Sequence, residues 1–498
     1  LSTDASTQQL TDAQVLAAAR SGGVFIEAHP GSGKTTVAAR RFGALRFGAA
    51  RIHDARPVVA VSFTRSATTE LRRRVLGVWG THALAWPNRI DTIDALVCDL
   101  VEYLLATNEI AWPGGHKRLD VRDSWSSVVK PSYTDRCAFL ALSARTVCVR
   151  TRIETKKEGR VTQAQLSRHA KEGICTHEDV RSVLAAALAV PQIRARARAR
   201  LGTTMRALIV DEVFDANELD LSIIELAGCG GVDVTLIGDP WQALYEFRGA
   251  RPELVPAVVE RLGLRPLPLT QSFRWQTTGQ SQLADDLRSG VPVALPGIDP
   301  ATDPIDVVLG CKWNPLWDAG APVLPLSFSG AKGTHPEAAA TVVLGHVTRS
   351  SFGRRAVDAT DAISLLQLDE AWSAGTLTHA IDAVVQCLRD DESGAESYVL
   401  LAEVVGELAG VDLPKTHANY RRRLQQIRER LVSSRDLVPG LTIHHAKGRQ
   451  WDFVAVDLEA HEVAWLATGL SNSEEDQRKL YVACTRARRC TFVVDRRG

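Results

Sequence analysis

The stretch GVFIEAHPGSGKTT, residues 23–36, decides how this chain folds. Residues 23–29 are a short apolar run of strand length. The run ends in Pro30, Gly31, Ser32 and Gly33, and a helix-like stretch begins at Lys34. A strand, a glycine turn and a helix in that order separate a phosphate-binding loop from a chance glycine-rich turn. Gly31 and Gly33 let backbone N–H groups approach phosphate oxygens, and the helix N-terminus adds positive potential. Lys34 then reaches the β- and γ-phosphates, and the Thr35 hydroxyl holds Mg²⁺. Ala28 stands where the strict pattern has its first glycine. The competing reading is a tight strand-to-helix turn with no ligand.

Working outward, residues 57–63 (PVVAVSF) are a second buried strand candidate, followed by an Arg-rich helical run to Val78. Residues 206–212 (RALIVDE) and 232–239 (VDVTLIGD) are further apolar runs that end in acids. Such strands, separated by helix-length segments, predict a parallel sheet covered on both faces, with the chemistry at the carboxyl ends of the strands. There Asp211 suits the water shell of a metal, and Glu212 could polarise an attacking water. Alone, an acidic pair after an apolar run says little; downstream of a phosphate loop it completes a Mg²⁺·ATP site. A second series of strand candidates follows Arg274, at 305–309, 453–457 and 490–494. Two α/β units in one chain predict two motor domains. Residues 100–205 and about 355–437 read as helical insertions into the first and second unit. The run 193–200 (IRARARAR) is locally biased and reads as a solvated helix face.

Bulk properties bound the answer. A chain of 498 residues exceeds one compact core, so two to four domains are expected. The net charge of +1 announces no global affinity for nucleic acid, so any nucleic-acid path depends on local placement of charge. Nine cysteines show no C-x-x-C pair, which disfavours zinc and disulfide frameworks and fits free thiols in a reducing cytosol. The stretch Leu1–Asp12 lacks the charged start and apolar run of a signal peptide, and no run of about 20 apolar residues is present. A cytoplasmic chain with no membrane span is the expectation.

From these residues outward, the chain resembles the UvrD/Rep-like superfamily 1 DNA helicases. Residues 10–14 (LTDAQ) resemble that family's Q motif, and 58–70 (VVAVSFTRSATTE) the strand-helix segment called Ia. Residues 91–96 (DTIDAL) resemble the Thr-Phe-His segment that follows. Residues 210–217 (VDEVFDAN), 237–250 (IGDPWQALYEFRGA), 269–274 (LTQSFR), 441–448 (LTIHHAKG) and 477–488 (QRKLYVACTRAR) resemble motifs II to VI in order. The resemblance implies two RecA-like parallel-sheet motor domains, each with a mainly helical insertion, the second reduced. The first domain would comprise 1–100 and 206–270, with 101–205 inserted; the second 271–354 and 438–498, with 355–437 inserted. It also implies that Gln14 reads the adenine edge, that Phe273 stacks on adenine and that Gln242 senses the γ-phosphate. Arg274 and Arg486 would bring positive charge to that phosphate from the second domain. Ala28, His29, Pro30, Gly31, Ser32, Gly33, Thr36, Gly448 and Gln450 complete the implied ATP contacts. Phe63, Tyr245 and Phe247 would meet bases of single-stranded DNA, where stacking works for any sequence. Thr64, Arg65, Thr92, His444 and Lys447 would be backbone contacts or links to the ATP site. Core packing is the alternative for each aromatic taken singly.

The chain departs from the family pattern in places. Phe214 replaces a Gln, Gln450 a Glu, Thr36 an Arg and His29 a Gly, while Pro240 and Trp241 replace an acidic pair. The stretch between Arg274 and Leu441 is short for the family, and the chain ends soon after the last motif, which leaves no fused nuclease expected. In size and architecture it is similar to the helicase subunit of the Gabija anti-phage system, which works with a separate nuclease. Three functions compete at this point. One is a 3′→5′ translocase on single-stranded or tailed duplex DNA. Another is a DNA-stimulated ATPase that senses ends or activates a partner nuclease. The last is a recruitment subunit without hydrolysis. DNA repair and antiviral defence are the settings in view.

Overall fold

The computed structural model describes residues 9–48, 54–125, 128–129, 132–300, 302–320, 322–328, 334–414, 418–433 and 435–495. Residues 1–8 of the stretch expected to lack a leader lie outside the described residues. The chain divides into two compact units, Leu1–Arg274 and Trp275–Gly498.

The first unit is built on six strands: β1 (Val24–Glu27), β2 (Val58–Ser62), β3 (Arg89–Thr92) and, beyond an insertion with its own strands β4 to β7, β8 (Ala207–Asp211), β9 (Asp233–Gly238) and β10 (Arg265–Pro266). Their order is β10-β1-β9-β8-β2-β3, and every pairing is parallel. β2 and β8 are buried at every position, as expected where helices cover both faces of a sheet. Because all six run the same way, the carboxyl ends of β1, β2, β8 and β9 share one edge of the sheet. The helix Lys34–Phe47 is fastened to this sheet by Arg41, fully buried within it. Arg41 Nε donates to Thr235 Oγ1 (2.6 Å), and its other nitrogens donate to the carbonyls of Ala17, Arg20 and Gly22. Burial lowers its pKa below the ordinary arginine value, against the pull of Asp233.

The insertion differs from the expectation for 100–205. Alongside the helices Gln163–Lys171, His177–Leu188 and Pro191–Thr204, it carries an antiparallel hairpin, β5 (Ser132–Ser143) with β6 (Thr146–Arg160), and a short parallel pair, β4 (Asp120–Arg122) with β7 (Ile174–Thr176). The hairpin turns through Ala144 and Arg145, both at positive φ (46° and 64°), which gives the turn a twist matching that of the strands. The physical reason is period-two alternation in the sequence: Val147 is buried and Val149 packs partly buried against the core, whereas Thr146, Arg150 and Arg152 are exposed.

The second unit repeats the parallel design with β11 (Gly297–Ile298), β12 (Val307–Gly310), β13 (Val323–Pro325), β14 (Val438–Thr442), β15 (Trp451–Asp457) and β16 (Ala487–Val494), in the order β11-β16-β15-β12-β14-β13. Between β13 and β14 the described residues are helical, with Val384, Leu388, Tyr398 and Leu424 in their core. At the bend before the helix Ala395–Ala409, the Asp391 carboxylate accepts hydrogen bonds from the backbone N–H of Ser397 (2.8 Å) and Ser393 (3.1 Å) and from both hydroxyls. Burial opposes its ionisation, but these bonds outweigh burial and bring its pKa down to about 2. Among the described residues, no helix is long and apolar enough to cross a membrane.

Candidate active site

After β1 the chain stays in the sheet for one more residue pair: Ala28 N–H donates to Gly238 O and His29 N–H to Leu269 O, both at 2.9 Å. It then turns through Gly31 (φ +74°) and Gly33 (φ +86°) into the helix at Lys34. Gly33 is the helix N-cap in left-handed backbone and supplies no capping side chain, so the first N–H groups of the helix face the loop. A methyl group on Gly31 would lie 2.6 Å from Arg274 Cβ and from Ser272 Oγ, so backbone and glycine are both required there. Phe273 N–H donates to Gly31 O (3.0 Å), which ties the 272–274 segment to the loop. Phe273 itself is 42% exposed beside it. Arg274, expected on the second domain, is the last residue of the first unit.

At the centre of this edge lies Lys34. Its ammonium is buried, has no hydrogen-bond partner among the described residues, and stands 3.6 Å from Glu212 Oε1. Ser32 Oγ is likewise buried and unbonded among the described residues. Glu212 follows the end of β8 in left-handed backbone (φ +60°, ψ 42°), an uncommon conformation for a residue with a side chain. That turn swings the Glu212 carboxylate towards Lys34 and leaves Asp211 at the strand end, 4% exposed and accepting the Glu212 N–H (3.1 Å). A buried ammonium, a glycine loop at a helix N-terminus and two carboxylates at one strand end form a set that fits a triphosphate with a divalent cation. Asp239, after β9, caps a short turn and accepts from Gln242 Nε2 (2.7 Å); Gln242 is 4% exposed.

Further residues of the motifs make contacts within the chain itself. Gln14 is buried and donates from Nε2 to Ser32 O (2.9 Å), while its Oε1 accepts from Thr11 N–H, so it braces the loop from below. Phe214 packs edge-on against Phe25 at 6.2 Å and closes over Gly238, which makes that position core with no polar link. Thr36 Oγ1 accepts from Arg74 Nη1 (2.7 Å), itself held by Glu70. Nothing in the spacing of Thr36 and Arg74 announces this bond, since they lie on different helices.

Further along the same edge, Thr64 caps the helix Arg65–Trp79, and Thr92 precedes the helix Ile93–Ala106. Phe63 is partly buried against the core, and Arg65 pairs with Asp123 (2.8 Å). Tyr245 and Phe247 stand 6.0 Å apart with the Arg248 guanidinium over both rings; Phe247 is 63% exposed. In the second unit, His444 and Lys447 lie on the turn after β14, followed by Gly448 (φ +82°) and Gln450. Arg486 is fully buried, donates from Nε to Val482 O, and accepts the Trp451 N–H through its carbonyl, which sets it beside Gln450.

Residues 11–248 match the family model of an AAA domain. No curated protein matches the chain at a significant level. Among solved structures, the chain is similar to a crystal structure of Pif1 helicase from Candida albicans. That match has 11% identity and a TM-score of 0.37, over 98% of this chain and 95% of that one. At this score the likeness adds nothing to the strand pairings above.

Proposed function

We propose that the chain is an ATP-driven motor on DNA, a helicase of the UvrD/Rep-like superfamily 1 type that couples ATP hydrolysis to 3′→5′ movement along a single strand. The observation that carries this reading is the buried Lys34 ammonium, without a hydrogen-bond partner among the described residues and facing Glu212 at the carboxyl edge of a parallel sheet. Bound Mg²⁺·ATP would supply the reactive phosphoanhydride and the metal charge. Lys34 and the loop backbone would hold its phosphates, and Thr35 with Asp211 would hold the metal. Glu212 would take the proton of the attacking water. Gln242, Arg274 and Arg486 enter as phosphate sensors through their motifs. The exposed Phe247, paired with Tyr245, offers a stacking surface without base preference. DNA as the track and the polarity rest on the resemblance.

A second reading is a DNA-stimulated ATPase that senses ends or activates a separate nuclease subunit with little unwinding. The short helical segment between β13 and β14 favours it. Strand displacement on 3′- and 5′-tailed duplexes, run beside ATPase stimulation by single-stranded DNA, tests both. Unwinding from 3′ tails supports the motor; stimulation without unwinding supports the second reading; absence of stimulation removes both.

A further inference from the structure

The helix Pro191–Thr204 contains Arg194, Arg196, Arg198 and Arg200 and no acidic residue. Its core-facing side is Ile193, Ala197 and Leu201, all buried. At 100° per residue, Arg194 and Arg198 project from one flank of the exposed side and Arg196 and Arg200 from the other. Between the two rows the exposed positions are Ala195 and Ala199, which carry nothing beyond Cβ. Arg196 pairs with Glu109 (3.3 Å), which also serves Arg145 at the hairpin turn (3.4 Å), and Arg194 Nη1 donates to the neutral Ser222 Oγ (3.0 Å). Four exposed arginines on a helix with no acidic residue, in a chain whose net charge is +1, concentrate positive potential on one ridge.

The ridge is separate from the candidate active site. Arg200 lies over Tyr103 at 4.9 Å, and Tyr103 is about 15 Å along the helix that starts at the carboxyl end of β3. We infer that this arginine ridge binds the phosphate backbone of duplex DNA, a second nucleic-acid contact that deepens the reading above and rests on it. Charge complementarity points to a polyanion. The duplex is favoured over a single strand because the ridge presents cations and, among the described residues, no exposed aromatic: Tyr103 beside it is partly buried with Arg200 over its ring. A surface of that kind holds backbones and leaves already paired bases unread.

The test uses the full chain with Arg194→Gln/Arg198→Gln, which breaks no acid pair, and with all four arginines changed to Gln. Binding to a blunt duplex and to a dT single strand is followed by anisotropy across a salt series. Removing two phosphate contacts should reduce the slope of log K against log salt by about 2 on duplex, and removing four by about 4 (roughly 0.9 each). The single-strand slope and the ATPase stimulated by single strands should stay as in the unaltered chain. An unchanged duplex slope in the fourfold variant overturns the proposal, with the double variant deciding if the fourfold one does not fold. Competition by poly-glutamate as strong as by duplex overturns it in favour of an acidic protein partner. If the unaltered chain shows no stimulation by single strands, the motor reading fails separately, and the duplex slopes still judge the ridge.

Discussion

Exchanging Glu212 for Gln keeps the side-chain shape and the left-handed turn and removes only the charge facing Lys34. At 3.6 Å the pair attracts by about 4–5 kcal/mol at an effective dielectric of about 20. Both side chains keep some solvent, 11% and 24% exposed, so the loss in the ligand-free protein should be nearer 1–3 kcal/mol. Unfolding of the first unit should then occur about 2–12 °C lower, at roughly 2–4 °C per kcal/mol. ATP reverses the sign, because its phosphates no longer compete with a resident carboxylate for Lys34. Glu212→Gln should therefore bind ATP about 5–100-fold more tightly, each 1.4 kcal/mol being about tenfold. Hydrolysis should fall about 10²–10⁴-fold with the general base gone. Thermal shift with and without ATP, beside phosphate release on single-stranded DNA, measures all three quantities. Hydrolysis within a few-fold of the unaltered chain would show that Glu212 does not activate water. An unchanged ATP shift would show that Lys34 is no phosphate clamp.

Gly31→Ala drives a methyl group into Arg274 and Ser272 in backbone that favours glycine, so fluorescent-nucleotide titration should show binding lost while circular dichroism shows the fold retained. Phe247→Ala removes the exposed ring of the aromatic pair and should slow translocation in stopped flow more than it slows ATP turnover; equal rates would return the residue to packing. Asp391, with its pKa brought down to about 2 from an unfolded value near 3.8, contributes stability above pH 4. That contribution, about 2 kcal/mol, should fade as pH falls from 4 towards 2. Asp391→Asn should flatten this part of the acid-unfolding curve, and identical curves would show that the hydrogen bonds to Ser393 and Ser397 are not formed.

Strands with uninterrupted Val, Ile and Leu were legible: β2, β8 and β9 lie where their apolar runs stand. β3 (RIDT), β10 (RP) and β14 (VPGLT) carry charge, Pro or Gly, and only their neighbours in the sheet make them strands. The hairpin β5–β6 had its signal in the alternation of Val147, Val149 and Ile153 with Arg150 and Arg152, a signal weakened because the apolar side is buried only at its start, Ile153 being exposed. In the candidate site, Lys34, Asp211 and Glu212 were singled out because each follows or ends an apolar run, and the fold brings Lys34 and Glu212 to 3.6 Å of each other. The brace from Gln14 to Ser32 O and the reach of Arg74 to Thr36 join residues far apart in the chain. No local pattern encodes such contacts.

The place of β1 in its sheet has a consequence for synthesis. The loop at 28–34 leaves a ribosome well before β9 and β10, yet β1 is flanked by those two strands, and His29 is held by Leu269. Among the described residues, none before 233 supplies either neighbour. A nascent chain arrested before β9 has therefore made every residue of the loop without being able to shape it. Nucleotide affinity should be acquired late and abruptly, once 238–269 have emerged, so that a truncated product carries an inert loop instead of an unregulated ATPase.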